Sequence, residues 1–132
     1  MSLVEVKGDV VILACAISAG IHGALVPMHF DEGAGAGVGF VTATVALAGL
    51  VVWLTVQPTS SVALVAAAAV FLGLLASYAL AITSGLPLLH PRPEPVDDLA
   101  LATKAIEALG LLAASSLLWR PAAALNPHPK GI

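Results

Sequence analysis

Charged side chains make up only 10% of the 132 residues, five basic and eight acidic, for a net charge of −3. A soluble domain carries about a quarter charged residues, and with so few this chain cannot cover a globule with polar surface. An ordinary soluble enzyme and a disordered chain are excluded on that ground. Five basic residues also leave no electrostatic footprint for nucleic acid. Cysteine is represented by Cys15 alone, which excludes an internal disulfide and any Cys-x-x-Cys metal or redox pair. It lies in the apolar run 11–16, where an inert buried thiol is expected. Three Phe, two Trp and one Tyr leave little material for stacking platforms.

What the chain has is apolar bulk: 59% hydrophobic residues and a mean hydropathy of +1.01, dominated by Ala, Leu, Val and Gly. These residues fall into four blocks, each close to the roughly 20 apolar residues that a membrane-spanning helix requires. The spacing predicts spans at about 10–28, 37–56, 62–83 and 96–119. Proline marks the stops, because it lacks the N–H and restricts its predecessor: Pro27, Pro58, Pro87 and Pro121 each follow an apolar run. Pro95 and the acids Asp97 and Asp98 mark the start of the fourth span. A cleaved leader is disfavoured, since Glu5 and Asp9 against Lys7 make a poor basic n-region. The two hairpins do not mirror each other, so no inverted repeat of the transporter kind is indicated.

The expected fold is therefore all-α, an integral membrane four-helix bundle with antiparallel neighbouring helices. It forms one domain over residues 1–120, with a mobile cytoplasmic tail at 121–132. Lys7, Arg120 and Lys130 against Arg92 place both termini inside by the positive-inside rule, with Trp53 and Trp119 at one interfacial level.

Ionisable groups inside a span are costly and mark function by default. His22, Lys104 and Glu107 are the three. Lys104 and Glu107 are three residues apart and share one helix face with the small residues Ala100, Gly110 and Ala114, a face suited to protein rather than lipid. At 1.5 Å per residue, His22, Lys104, Tyr78 and Thr42 all fall roughly 8–10 Å below the outer end of their spans, and Glu107 roughly 15 Å. Polar groups from all four spans thus share one layer of the outer half, with Thr42 and Tyr78 in supporting places.

His29 follows His22 by two helical turns, and Glu32 follows His29 by three residues. His22, His29, Glu32, His90 and Glu94 offer the imidazole and carboxylate donors that take copper(II), zinc or iron. If the chain turns back after Pro27, then His22, His29 and Glu32 converge at the outer end of span one, with Glu107 or His90 completing a ligand set. The plainer readings are an ion pair that fixes packing for Lys104–Glu107, a helix-to-helix hydrogen bond for His22, and exposed loop histidines for His29 and His90.

The stretches Gly20–Glu32, Gly39-Phe40, Ser84-Gly85-Leu86-Pro87, Glu94–Leu99 and Thr103–Glu107 resemble a group of small four-span membrane proteins of high-GC bacteria. The resemblance implies only that the His…Pro…His…Glu block and the Lys-x-x-Glu pair belong to a shared pattern, and carries no activity with it; the expected location is a bacterial plasma membrane, crossed several times. Two function classes follow. One is a metal- or proton-handling site in the outer half. The other is a non-catalytic accessory subunit docked in a larger membrane complex or a homo-oligomer, with the bilayer as partner in either case. No nucleophile–base pair or cofactor fingerprint argues for an enzyme, and a b-type haem on His22 lacks a second axial histidine at matching depth.

Overall fold

Four long apolar segments that cannot be hydrated must satisfy every backbone group internally, and helices are the way an open chain does so in lipid. The computed structural model describes residues 1–89 and 91–119. It contains α1 (Leu3–Glu32), α2 (Ala34–Val56), α3 (Ser61–Thr83) and α4 (Asp98–Leu118), with no strand among the described residues. All four are long and apolar enough to cross a membrane. Arg120, Lys130, His128 and the rest of the expected tail lie outside the described residues, as does His90.

Capping chemistry sets the starts. Ser2 and Glu5 form a capping box before α1, the Ser60 side chain accepts from Ala63 N–H before α3, and Asp97 accepts from Ala100 N–H at 2.8 Å before α4. Each satisfies helix-end donors that would otherwise be orphaned.

α1 packs against α2 and α4, and α3 packs against α4 and, least extensively, α2. The close-packed core gathers in the half nearer the α2–α3 loop. Val11, Ala14 and Cys15 of α1, Leu47, Leu50 and Leu54 of α2, Ala63, Leu64, Ala67 and Phe71 of α3, and Ala114 of α4 form one buried cluster. Phe71 closes it toward the other half. Its ring lies where a Cβ on Gly110 would be, 2.6 Å away, with Ala14 Cβ at 2.8 Å, so α4 approaches α1 and α3 only because residue 110 has no side chain. Outward faces carry bare Leu and Val, among them Val45 at 66%, Leu72 at 60% and Leu112 at 67% exposure. That pattern suits hydrocarbon and no other solvent.

Three boundaries differ from the sequence expectation: α1 begins at Leu3 rather than at residue 10, it ends later, and α2 begins earlier. Proline does not end the first span: Pro27 lies inside α1, which runs on to Glu32. A proline forfeits one i→i−4 bond, and neighbouring helices make that loss tolerable in a membrane. Here α2 flanks α1 closely, with Thr44 Cγ2 3.3 Å from the Cβ position of Gly23, four residues before the proline. The expected loop 29–36 consequently shrinks to Gly33 alone, the one residue between α1 and α2. His29, Asp31 and Glu32 stand on the last turn of α1.

Candidate functional site

The half of the bundle opposite the buried core holds a cavity of about 700 Å³. Residues of both α2 and α3 line it. Gly39, Phe40 and Ala43 line one side, Leu74, Tyr78 and Ala81 the other. The 84–97 segment covers its mouth. This segment is pinned twice. Glu94 N–H donates to Ala81 C=O at 2.9 Å, satisfying one of the carbonyls left unpaired at the end of α3. Leu88, in a left-handed conformation at φ 74°, lays its carbonyl over Gly35, where any Cβ would overlap it.

The deep end of the site is a buried chain of polar contacts joining α4 to α1. Glu107 is fully buried. Its Oε2 accepts from Lys104 Nζ at 2.6 Å, and its Oε1 accepts from Ser18 Oγ at 2.7 Å. Ser18 C=O in turn accepts from His22 Nδ1–H at 2.8 Å, with Ser18 Oγ 3.3 Å from the same nitrogen. Lys104 Nζ lies 5.6 Å from the centroid of the Tyr78 ring, within the range of a cation–π contact. Every hydrogen bond here is made between groups that would be costly alone in hydrocarbon. Tyr78 Oη is the exception, buried without a hydrogen-bond partner among the described residues.

The mouth is a second cluster. His29, Glu32 and Glu94 each present a ligand atom within 4.8 Å of the others. His29 Nδ1–H donates to Leu25 C=O at 2.9 Å, which leaves Nε2 as the ligand-bearing nitrogen, 3.8 Å from Glu32 Oε2. A backbone carbonyl holding Nδ1 is a common outer support for a metal-bound imidazole. Phe40 of α2 stands against both histidines: its ring stacks on His29 at 3.5 Å and tilts against His22 at 5.1 Å.

Sequence-expected residues therefore divide. The structure brings His29 to Glu32 and Lys104 to Glu107. It does not bring His22 to His29 and Glu32, because α1 does not turn back after Pro27. The two residues sit seven positions apart on one helix, about 10 Å at the backbone, with both rings against Phe40; His22 is not part of the group formed by His29, Glu32 and Glu94, and the convergence of His22, His29 and Glu32 is not formed. Thr42 does not face the layer either. It is exposed, with Oγ1 bonded to Val38 C=O at 2.8 Å. Tyr78 does face it, as a wall of the cavity. His90 lies outside the described residues. Ser18 and Phe40 were missing from the expected set. A serine one turn before a buried histidine was a readable signal for Ser18. Nothing in the spacing pointed to Phe40.

No protein-family model matches this chain, and no curated protein or solved structure is significantly similar to it. The arrangement itself must carry the functional reading: a small multi-pass membrane protein with a His/Glu group of metal-holding geometry at one end of the bundle.

Proposed function

We propose that the chain binds a divalent transition-metal ion at the outer mouth of the bundle, in a bacterial plasma membrane, through His29 Nε2, Glu32 and Glu94. The observation that carries this reading is the approach of one imidazole and two carboxylates from α1 and the 84–97 segment to within 4.8 Å of one another. One nitrogen and two oxygens suit zinc, iron or copper(II), and the absence of thiolate or thioether in the set disfavours copper(I). Two carboxylates also supply the negative charge that a divalent ion needs in a partly desolvated place.

Titration of the purified protein with zinc, monitored by calorimetry, should give one site per chain. Glu94→Gln or His29→Ala should weaken it by at least about tenfold, the lower end of what loss of supporting partners alone causes. Unchanged affinity in both variants would remove the mouth as the site. The outward orientation follows from Lys7, Arg120 and Lys130 against Arg92, and a reporter fused after residue 132 should be active only in the cytoplasm. A reporter active outside would put the mouth on the inner face.

A second reading, an accessory role in a homo-oligomer or a larger membrane complex, has one observation in its favour. Ala16, Gly20 and Ala24 form an exposed row on α1 at four-residue spacing, with open space beside Gly20, the pattern of close helix–helix contact in membranes. A chain that fails to bind zinc, copper(II) or iron(II) yet migrates as a stable oligomer that Gly20→Leu dissociates would favour it.

A further inference from the structure

Behind the mouth, the cavity has polar groups that the metal reading does not use. Lys104 and His22 both line it. His22 Nδ1–H is committed to Ser18 C=O, so a neutral imidazole offers Nε2 as an acceptor. Its Nε2 makes no hydrogen bond among the described residues, nor is it among the buried unpaired atoms, so it remains accessible from the cavity. Lys104 spends one N–H on Glu107 and has two more to give. An acceptor on α1 and a donor on α4 thus line one chamber. Leu25, Phe40, Ala43, Leu74 and Ala81 supply apolar wall around them, with the hydroxyl-bearing Ser77, Tyr78 and Thr103 also in the lining.

We propose that this chamber binds a neutral, lipid-soluble compound with a hydroxyl head on an apolar tail, the hydroxyl accepting from Lys104 Nζ and donating to His22 Nε2. Three observations support a neutral head and a membrane source. The Lys104 charge is already balanced by Glu107 at 2.6 Å, so no net positive charge is left to hold a carboxylate. The mouth carries Glu32, Glu94 and Asp97 against Arg92, a field that repels anions arriving from water. Residues of both α2 and α3, the least extensively packed neighbours, line the cavity, and the seam between them is the route a lipid-dissolved compound would take. A volume of about 700 Å³ is that of an ordinary small-molecule site, mostly apolar with a few placed polar groups. A ring hydroxyl, as in a phenol or quinol, and an aliphatic alcohol share this chemistry, and the experiment separates them. The chamber and the mouth trio belong to one cavity, but the proposal uses His22 and Lys104 and none of the trio, so it stands or falls without the metal reading.

The test uses the full chain in nanodiscs of phosphatidylcholine and phosphatidylglycerol, with fluorine-labelled 4-decylphenol observed by ¹⁹F NMR. Saturable binding is expected, displaced by unlabelled 4-decylphenol and not by decylbenzene or decanoate. Displacement by 1-decanol as effective as by the phenol assigns the aliphatic class; displacement by the phenol alone assigns the ring class. His22→Leu should weaken binding roughly three- to tenfold, the loss of one hydrogen bond. Ala43→Phe, which adds bulk at the wall of the chamber and removes none of its polar groups, should abolish binding while leaving the melting temperature in place. Glu94→Gln should leave phenol binding unchanged while weakening zinc, so failure of one site is read separately from failure of the other. Absence of saturable binding, equal displacement by decylbenzene, or full binding in Ala43→Phe would each overturn the proposal.

Discussion

Lys104→Met should be among the most damaging single changes in the membrane domain, and the joint change Lys104→Met with Glu107→Leu should be milder. The reason is the state of Glu107. Its side chain is fully buried and has two partners, Lys104 Nζ at 2.6 Å and Ser18 Oγ at 2.7 Å. Removing the ammonium leaves a carboxylate in an apolar interior with one hydroxyl. Soluble precedents put the cost of such a stranded charge at about 3–5 kcal/mol, whereas replacing both members of a buried pair by apolar groups is often close to neutral. Glu107→Gln should fall between, since an amide oxygen still accepts from Lys104 but leaves the ammonium unbalanced. Thermal unfolding in mild detergent ranks the three. If the joint variant is as unstable as Lys104→Met, the pair is worth more than its packing, and its charges are held for the site rather than for assembly.

Gly110→Ala should destabilise by about 1–3 kcal/mol, the usual range for overpacking, although alanine is the better helix former. The added Cβ would lie 2.6 Å from Phe71 Cε2 and 2.8 Å from Ala14 Cβ. The Phe71 ring can turn a little, but Ala14 Cβ is fixed to the α1 backbone, so α1 and α4 must separate. That displacement pulls Glu107 away from Ser18, so the packing defect is expected to reach the polar chain one turn away. Gly73 on the lipid-facing side of α3 has open space at its Cβ, and Gly73→Ala should be neutral or slightly stabilising. Equal melting temperatures for the two alanine variants would show that the close approach at residue 110 is not needed.

Much of this was readable from residues alone, for identifiable reasons. Span number and position follow from length and hydropathy because lipid imposes a thickness. The shared face of Lys104, Glu107, Gly110 and Ala114 follows from helical periodicity, and Thr103, Glu107, Gly110 and Ala114 are the buried residues of α4. Depth along a helix fixes the level of a polar group but not its azimuth. Thr42 has the expected level and the wrong azimuth, while Phe40, two residues earlier, turns inward against both histidines. The place of Glu94 was out of reach for another reason. It depends on how the 84–97 segment folds back onto Ala81 and Gly35, which is tertiary information. Pro27 misled because the rule that proline ends a helix is written for water, and in a bundle the flanking helices make the missing bond tolerable.

The central claim, that a metal ion is held by one imidazole and two carboxylates at the bundle mouth, is tested most directly by X-ray absorption on the zinc-loaded protein. The predicted first shell has one imidazole nitrogen and two or more oxygens at about 2.0–2.2 Å, and Glu94→Gln or His29→Ala should change it. A shell without an imidazole nitrogen would remove His29 from the site. A shell of water oxygens alone would contradict the site altogether.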